Sequence, residues 1–193
     1  MQFLPPSCVG RILRFAPVSF LLLFSASTPC AAAETIWHIK AVHPEGRLLD
    51  VKALDADGRV YDVKAIEVDG NRHIMDIKAI KNGERLPVKV IVSDEKYAPV
   101  KAIAPDGTIL DIKALTSKGE KLDVKGVARN GSIIHIKVVN TDGKLYGVKA
   151  LSPTGQLHDV KGVKMLANEI EAKVAGVSVA AHVKALPQVE TRE

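Results

Sequence analysis

A lysine that follows Val or Ile recurs about every 12 residues through most of this 193-residue chain. The step is 12 residues except for one step of 14 and one of 11 early in the series, and another of 11 at its end. The lysines are Lys40, Lys52, Lys64, Lys78, Lys89, Lys101, Lys113, Lys125, Lys137, Lys149 and Lys161, followed by weaker copies at Lys173 and Lys184. Self-similarity at a fixed period is the signature of a repeat architecture, so we expect residues 34–193 to form one β-repeat domain.

Each repeat has the side-chain pattern of a short strand followed by a turn. In one copy, the apolar Tyr61, Val63 and Ala65 alternate with a second set that contains Asp62 and Lys64. A period of two places the sets on opposite faces of a strand of about eight residues. Pro-x-Gly and Asn-Gly sequences follow the strands and predict short hairpin loops.

The charges favour antiparallel hairpins over a solenoid with one repeat per coil. A solenoid would stack each lysine on the next one, and like charges directly opposite each other are unfavourable. Antiparallel hairpins with three-residue loops place Lys52 opposite Asp62, and Asp50 opposite Lys64. The sequence therefore predicts an all-β fold, an antiparallel meander of about 11–13 short strands. Because open twisted sheets rarely exceed about ten strands, we expect it to curl into a barrel or fold into two layers.

The aliphatic face of this sheet is expected to form the core, and the Asp and Lys face to meet water. The predicted core residues are Val51, Val63, Ile77, Val88, Val100, Ile112, Val124, Ile136, Val148 and Val160. Proline replaces Asp in two consecutive copies, at Pro87 and Pro99, and proline is poorly tolerated in a central strand. A seam or edge is therefore expected near residues 84–100.

Residues 1–33 differ from the repeats and have the pattern of a signal peptide. Arg11 and Arg14 form a basic end, residues 15–27 are an apolar run too short to span a bilayer, and three alanines precede Glu34. Both cysteines, Cys8 and Cys30, lie in this segment. The rest of the chain has a formal charge of +5 − 2 = +3 and no thiol chemistry. We expect an exported protein, periplasmic or extracellular.

The run of Asp-Val-Lys-Ala and Pro-Asp-Gly units resembles a family of exported bacterial proteins classed as a domain of unknown function. The resemblance covers residues 34–193 and rests on the (Val/Ile)-Lys-Ala repeats. It implies export and a repeat fold, and no particular activity.

The Asp and Lys face is the main candidate for a function. Its simplest role is to fix strand register, because a slip of one residue would exchange the two faces. Histidine replaces Asp at His38, His135 and His182. The antiparallel hairpin pairing described above places His135 between Lys125 and Lys149. Lys125, His135 and Lys149 are therefore the candidate binding site for a sulfate, phosphate or uronate group.

Other classes of function have less support. The histidine spacing does not suit a metal site, and neither a Gly-rich phosphate loop nor a pair of unlike catalytic groups is evident, so no metal, cofactor or enzymatic activity is predicted. A charge of +3 predicts no nucleic-acid partner. We expect a structural or adhesive role in the cell envelope, with envelope polysaccharide or another protein as partner. A carbohydrate- or anion-binding module and a small outer-membrane β-barrel are the alternatives, although the apolar sets are short for membrane insertion.

Overall fold

The computed structural model describes residues 34–68, 71–164 and 172–188, all within the compact unit Ala33–Glu193. The predicted signal peptide, residues 1–33, lies outside the described residues. The described residues form thirteen strands: β1 (Ile36–Val42), β2 (Leu48–Leu54), β3 (Val60–Val68), β4 (Asn71–Lys81), β5 (Glu84–Ile91), β6 (Ala98–Ile103), β7 (Ile109–Leu115), β8 (Lys121–Asn130), β9 (Ile133–Val139), β10 (Leu145–Leu151), β11 (Leu157–Val163), β12 (Ala172–Val174) and β13 (Val177–Pro187). No helix in this described part is long and apolar enough to cross a membrane.

Every pairing between these strands is antiparallel, which confirms the predicted all-β meander and excludes the solenoid. The ten predicted core residues are all buried, with at most 4% of each exposed. Fully buried alanines, such as Ala53 and Ala114, lie beside them on the same face and belong to the same core cluster. The period-two pattern thus identified the buried face correctly.

Six of the connections are hairpin loops of one type. In residues 55–59, Asp55 N donates to Arg59 O at 3.2 Å and Gly58 N donates to Asp55 O at 3.0 Å. Gly58 has a φ of 80°, a left-handed conformation that glycine adopts without steric cost. The loops 43–47, 104–108, 116–120, 140–144 and 152–156 repeat both hydrogen bonds. These are the predicted three-residue hairpin turns, and they set the register of the strands that they join.

Each of β1–β11 pairs with three strands rather than two. Residues 48–50 of β2 pair with β1, residues 52–54 pair with β3, and residues 50–54 also pair with β7. The hairpin neighbours β1 and β3 therefore pair with the same edge of β2, on either side of Val51. β7 pairs with the other edge. This division keeps the normal alternation of ladder hydrogen bonds on both edges.

The short pairings group the strands into four junctions of three strands each. The junctions are β1–β2–β3, β4–β5–β13, β6–β7–β8 and β9–β10–β11. One ladder joins each junction to each of the others: β1 with β10, β2 with β7, β3 with β4, β5 with β6, β8 with β9, and β11 with β13. This is the connectivity of the four corners and six edges of a tetrahedron. The sheet closes, as expected for so many strands, but it does so by branching.

The seam or edge predicted near residues 84–100 falls on β5 and β6. β5 pairs with β4, β6 and β13, so it is enclosed within the sheet. Pro87 is the last residue of the β4–β5 ladder, and Pro99 ends the short β6–β8 ladder opposite Lys125. The prolines are tolerated because each lies where a ladder ends and a backbone donor is not required.

Candidate functional site

At the centre of each of the six ladders, two repeat lysines lie directly opposite each other. The pairs are Lys40 with Lys149, Lys52 with Lys113, Lys64 with Lys78, Lys89 with Lys101, Lys125 with Lys137, and Lys161 with Lys184. Like charges directly opposite each other destabilise a sheet. The predicted alternation of Lys and Asp is therefore wrong for the ladders, and Asp50 pairs with Lys40 rather than with Lys64.

Within the three-residue hairpins the predicted alternation is confirmed. Lys52 Nζ lies 2.5 Å from Asp62 Oδ1, as predicted, and Lys101 Nζ lies 2.5 Å from Asp111 Oδ1. The same ion pair joins Lys40 to Asp50, Lys113 to Asp123 and Lys149 to Asp159. The hydrogen bond from Lys52 is the main reason that the pKa of Asp62 is lowered. The hairpins thus supply the carboxylates that offset the lysine pairs of the ladders.

The carboxylates are distributed unevenly among the junctions. The residue two positions before each repeat lysine faces the next strand of its junction. These twelve positions hold Asp50, Asp62, Asp76, Asp111, Asp123 and Asp159, with His38, His135 and His182, Pro87 and Pro99, and Gly147 in the others. The junctions β4–β5–β13 and β9–β10–β11 hold one Asp each, and the β11–β13 ladder joins these two.

The charged residues around the β11–β13 ladder form what we define as the basic patch. Its members are Lys89, His135, Lys137, Lys161, His182 and Lys184. Two cross-strand rows contain five of them: His135 is opposite Lys161, which is opposite Lys184, and Lys89 is opposite His182. Lys137 lies two residues after His135 on β9. Asp76 contacts Lys184, and Asp159 Oδ2 lies 3.3 Å from Lys161 Nζ. Four lysines against two carboxylates leave the patch positive.

Both histidines of the patch contact a lysine. Lys161 Nζ lies 3.2 Å from His135 Nδ1, and Lys89 Nζ contacts His182 Nδ1. Burial, followed by the charges of Lys161 and Lys137, lowers the pKa of His135. The His135 ring is therefore neutral at pH 7, and its Nδ1 can accept a hydrogen bond from the lysine.

Lys89 is the one buried lysine among the described residues, with 7% of its surface exposed. Burial is the main cause that lowers its pKa, to about 8, and the nearby charge of Lys78 adds to the effect. The charge of the patch therefore depends on pH in the mildly alkaline range.

The three residues predicted as an anion site are not brought together as expected. His135 faces Lys161 instead of Lys125 and Lys149. Lys125 faces Lys137, and its Nζ lies 2.7 Å from Glu95 Oε2. The prediction failed here for two reasons: the β8–β9 turn, at residues 131–132, is shorter than a three-residue hairpin loop, and the register shifts by one residue between Gly126 and Ala128. Together they place Lys125 opposite Lys137.

Lys149 and His135 belong to the same junction, but on strands that pair through other residues. Lys149 faces Lys40 across the β1–β10 ladder and contacts Asp159 across its hairpin. Among the described residues, no group of three or more His, Cys, Asp or Glu is placed to hold a metal ion.

A cleft of about 530 Å³ among the loops 43–47, 116–120 and 140–144 was not predicted. Tyr146, only 4% exposed, lines it, and its ring meets the His43 ring nearly edge-on with 4.8 Å between centroids. The three loops belong to three different junctions, so sequence proximity gives no indication that they meet.

The family of unknown function DUF7486 matches residues 33–186, which include all four junctions. The chain belongs to DUF7486. Among curated proteins and among solved structures, no match to this DUF7486 chain is found. The family description assigns no activity, so the function of the DUF7486 fold has to be inferred from its own residues.

Proposed function

We propose that this DUF7486 chain is an exported, non-enzymatic module of the cell envelope with a structural or adhesive role, and that its basic patch binds an anionic polysaccharide. The observation that carries this proposal is the β11–β13 ladder. Lys161 and Lys184 face each other there, between the two junctions that hold one Asp each. A surface with an excess of cations concentrates polyanions around it.

Export is supported by the signal-peptide pattern of residues 1–33. The family match begins at Ala33, the last of the three alanines expected to precede cleavage. The proposed location is the periplasm or the cell exterior.

A structural role is supported by the branched strand pairing. Each of β1–β11 has three partners, which leaves few unpaired edges among the described strands for aggregation or proteolysis. Lysine recurs at equivalent positions of all four junctions, and Asp or His stands at most of the positions that face it. Acid–base catalysis depends on groups in unlike environments, whereas repeated equivalent cations suit many weak contacts along a polymer.

Polysaccharide is favoured over single-stranded nucleic acid because of where the aromatic residues lie. Trp37, Tyr61, Tyr97 and Tyr146 are the Trp and Tyr residues of the described chain, and none belongs to the basic patch. Proteins that hold single-stranded nucleic acid combine basic grooves with aromatic platforms for base stacking.

Binding to polygalacturonate, with neutral dextran as the reference polymer, tests this proposal. We expect retention of the wild-type protein by polygalacturonate that weakens as salt is added, and no retention by dextran. The variant Lys161→Gln/Lys184→Gln should bind several-fold more weakly. The matched control is Lys52→Gln/Lys113→Gln, which removes the same charge from the β2–β7 ladder, where Asp62 and Asp123 pair with the lysines. Equal binding by the two variants, or equal retention by dextran, would contradict the proposal.

A further inference from the structure

The hairpin between β9 and β10 differs from the other five three-residue hairpins at one position. In those five, the register places a lysine opposite an Asp, whereas here Lys137 is opposite Gly147. The loop itself is unchanged, since Asn140 N donates to Lys144 O at 2.9 Å and Gly143 N donates to Asn140 O at 2.9 Å. The hairpin keeps the geometry that holds a carboxylate beside a lysine, but its own sequence supplies none.

Lys137 is the cation that such a carboxylate would neutralise. Of the twelve repeat lysines in the ladders, it is the one that contacts neither a carboxylate nor a histidine within the described part of the chain. Its side chain is half-buried, and it faces the charged Lys125 across the β8–β9 ladder. A half-buried cation opposite a second cation favours the approach of an anion.

The backbone at Gly147, opposite Lys137, has room for a side chain to begin. A Cβ placed on Gly147 would meet only Lys149 Cε, at 3.9 Å, which is ordinary van der Waals contact. Gly147 lies within β10 and is not among the residues with positive φ, so the backbone does not require glycine there. The fold would therefore accept a side chain at this position, where the sequence has none.

We propose that Lys137, with Lys149 near the Gly147 position, binds the carboxylate of a uronate residue in the place that an Asp side chain occupies in the other five hairpins. A planar carboxylate is favoured because the five equivalent hairpins already hold one at this position. The lowered pKa of His135, caused by burial and by the charges of Lys161 and Lys137, agrees with a site that is positive without its ligand. This inference rests on the proposed function, because the uronate is taken to be one unit of the anionic polysaccharide proposed there.

Titration of the protein with galacturonate, at constant ionic strength and with galactose as the neutral reference, tests the site. We expect galacturonate, but not galactose, to raise the melting temperature of the wild-type protein. Gly147→Asp supplies the carboxylate from the chain, so this variant should melt at a higher temperature without ligand and lose at least tenfold in galacturonate affinity. Gly147→Ala adds only a Cβ and should bind as the wild type does.

A second variant keeps the test valid if Gly147→Asp fails to fold. Lys137→Gln removes the cation at nearly constant size and should also lose galacturonate affinity. The inference is overturned when galacturonate and galactose affect the wild-type protein equally, or when Gly147→Asp and Lys137→Gln keep the wild-type affinity.

Polygalacturonate separates this inference from the proposed function. When the polymer binds through Lys161 and Lys184 but galacturonate affinity is the same in Gly147→Asp and wild type, the uronate site is wrong and the proposed function stands. When galacturonate binds in a Gly147-dependent manner but the polymer does not bind, the proposed function is wrong and the carboxylate site stands.

Discussion

Lys161 of β11 lies directly opposite Lys184 of β13, at the ladder that joins the two junctions holding one Asp each. Their side chains are 20% and 28% exposed, so neither charge is fully solvated. Asp159 and Asp76, on different junctions, supply the carboxylates next to them. Like charges therefore face each other along the ladders, whereas opposite charges pair within the junctions.

Removal of Lys137 should stabilise the protein. Lys137→Met removes a half-buried cation that faces Lys125 and pairs with no described carboxylate, so we expect the free energy of unfolding to rise by about 0.5 kcal/mol. Lys52→Met is the matched control: it breaks the ion pair with Asp62 and should lower the same quantity. Urea unfolding of both variants measures the difference, and a loss of stability in Lys137→Met would contradict the expectation.

Replacement of Lys89 should have an effect that depends on pH. Folding lowers its pKa to about 8, so the folded state binds this proton more weakly than the unfolded state, where the pKa is about 10.4. The cost of the charge is fully present below the folded pKa and disappears as the pH rises towards the unfolded value.

Lys89→Met should therefore stabilise the protein at pH 7, and clearly less at pH 10. Chemical denaturation at the two pH values tests this, with Lys101→Met as the control because its ion pair with Asp111 should make that change destabilising at pH 7. If Lys89→Met raises the free energy of unfolding by the same amount at the two pH values, this would be evidence against a lowered pKa of Lys89.

Asp76 should contribute stability that is lost in acid. Burial raises its pKa, but the hydrogen bond from Lys184 and the charges of Lys78 and Lys184 outweigh burial, so the pKa is lowered overall. Because the folded pKa lies below the unfolded value of about 3.9, the contribution is present above that value and is lost as the pH falls through the folded pKa.

We expect Asp76→Asn to lower the free energy of unfolding by about 1 kcal/mol at neutral pH, and by much less at about pH 2. Asp94→Asn, in the exposed β5–β6 connection, should change little at either pH. Thermal unfolding across this pH range distinguishes the two, and equal pH profiles would rule out the ion-pair explanation.

Gly126 should not tolerate a side chain. A Cβ at this position would lie 2.8 Å from Ile134 Cγ2, closer than such contacts occur, whereas a Cβ at Gly147 has room. Gly126→Ala should therefore destabilise the protein by about 1–3 kcal/mol, and Gly147→Ala should not. In a double-mutant cycle, Ile134→Ala should cost less in the Gly126→Ala background than alone, and strict additivity would show that the two residues do not collide.

The sequence predicts those parts of the fold that depend on local rules. Val124 and Ile136 are buried as expected because alternation along a strand decides which face a residue occupies. Lys52 meets Asp62 because a three-residue loop fixes the register of its hairpin. Both features require only neighbouring parts of the chain.

The ladders between junctions could not be predicted in the same way. Nearly identical repeats present nearly identical edges, so the sequence does not indicate that Lys52 faces Lys113 rather than another repeat lysine. The twelfth ladder lysine is Lys184, whereas Lys173 lies exposed on the short β12.

The order of loop types along the sequence carries a signal for the junctions. The three-residue loops occur in consecutive pairs, 43–47 with 55–59, 104–108 with 116–120, and 140–144 with 152–156. Each pair of loops connects the three strands of one junction, so the order of loop types marks three of the four junctions.

Cysteine cross-linking tests most directly whether repeat lysines from different junctions face each other across the ladders. Directly opposite residues in an antiparallel pair have Cα atoms about 4.5–5.5 Å apart, within the range of a disulfide. We predict that Lys161→Cys/Lys184→Cys forms this disulfide on mild oxidation, identified by peptide mapping apart from Cys8 and Cys30, whereas Lys52→Cys/Lys184→Cys does not. Failure of the first pair to cross-link in folded protein, or equal cross-linking of both, would contradict the branched pairing.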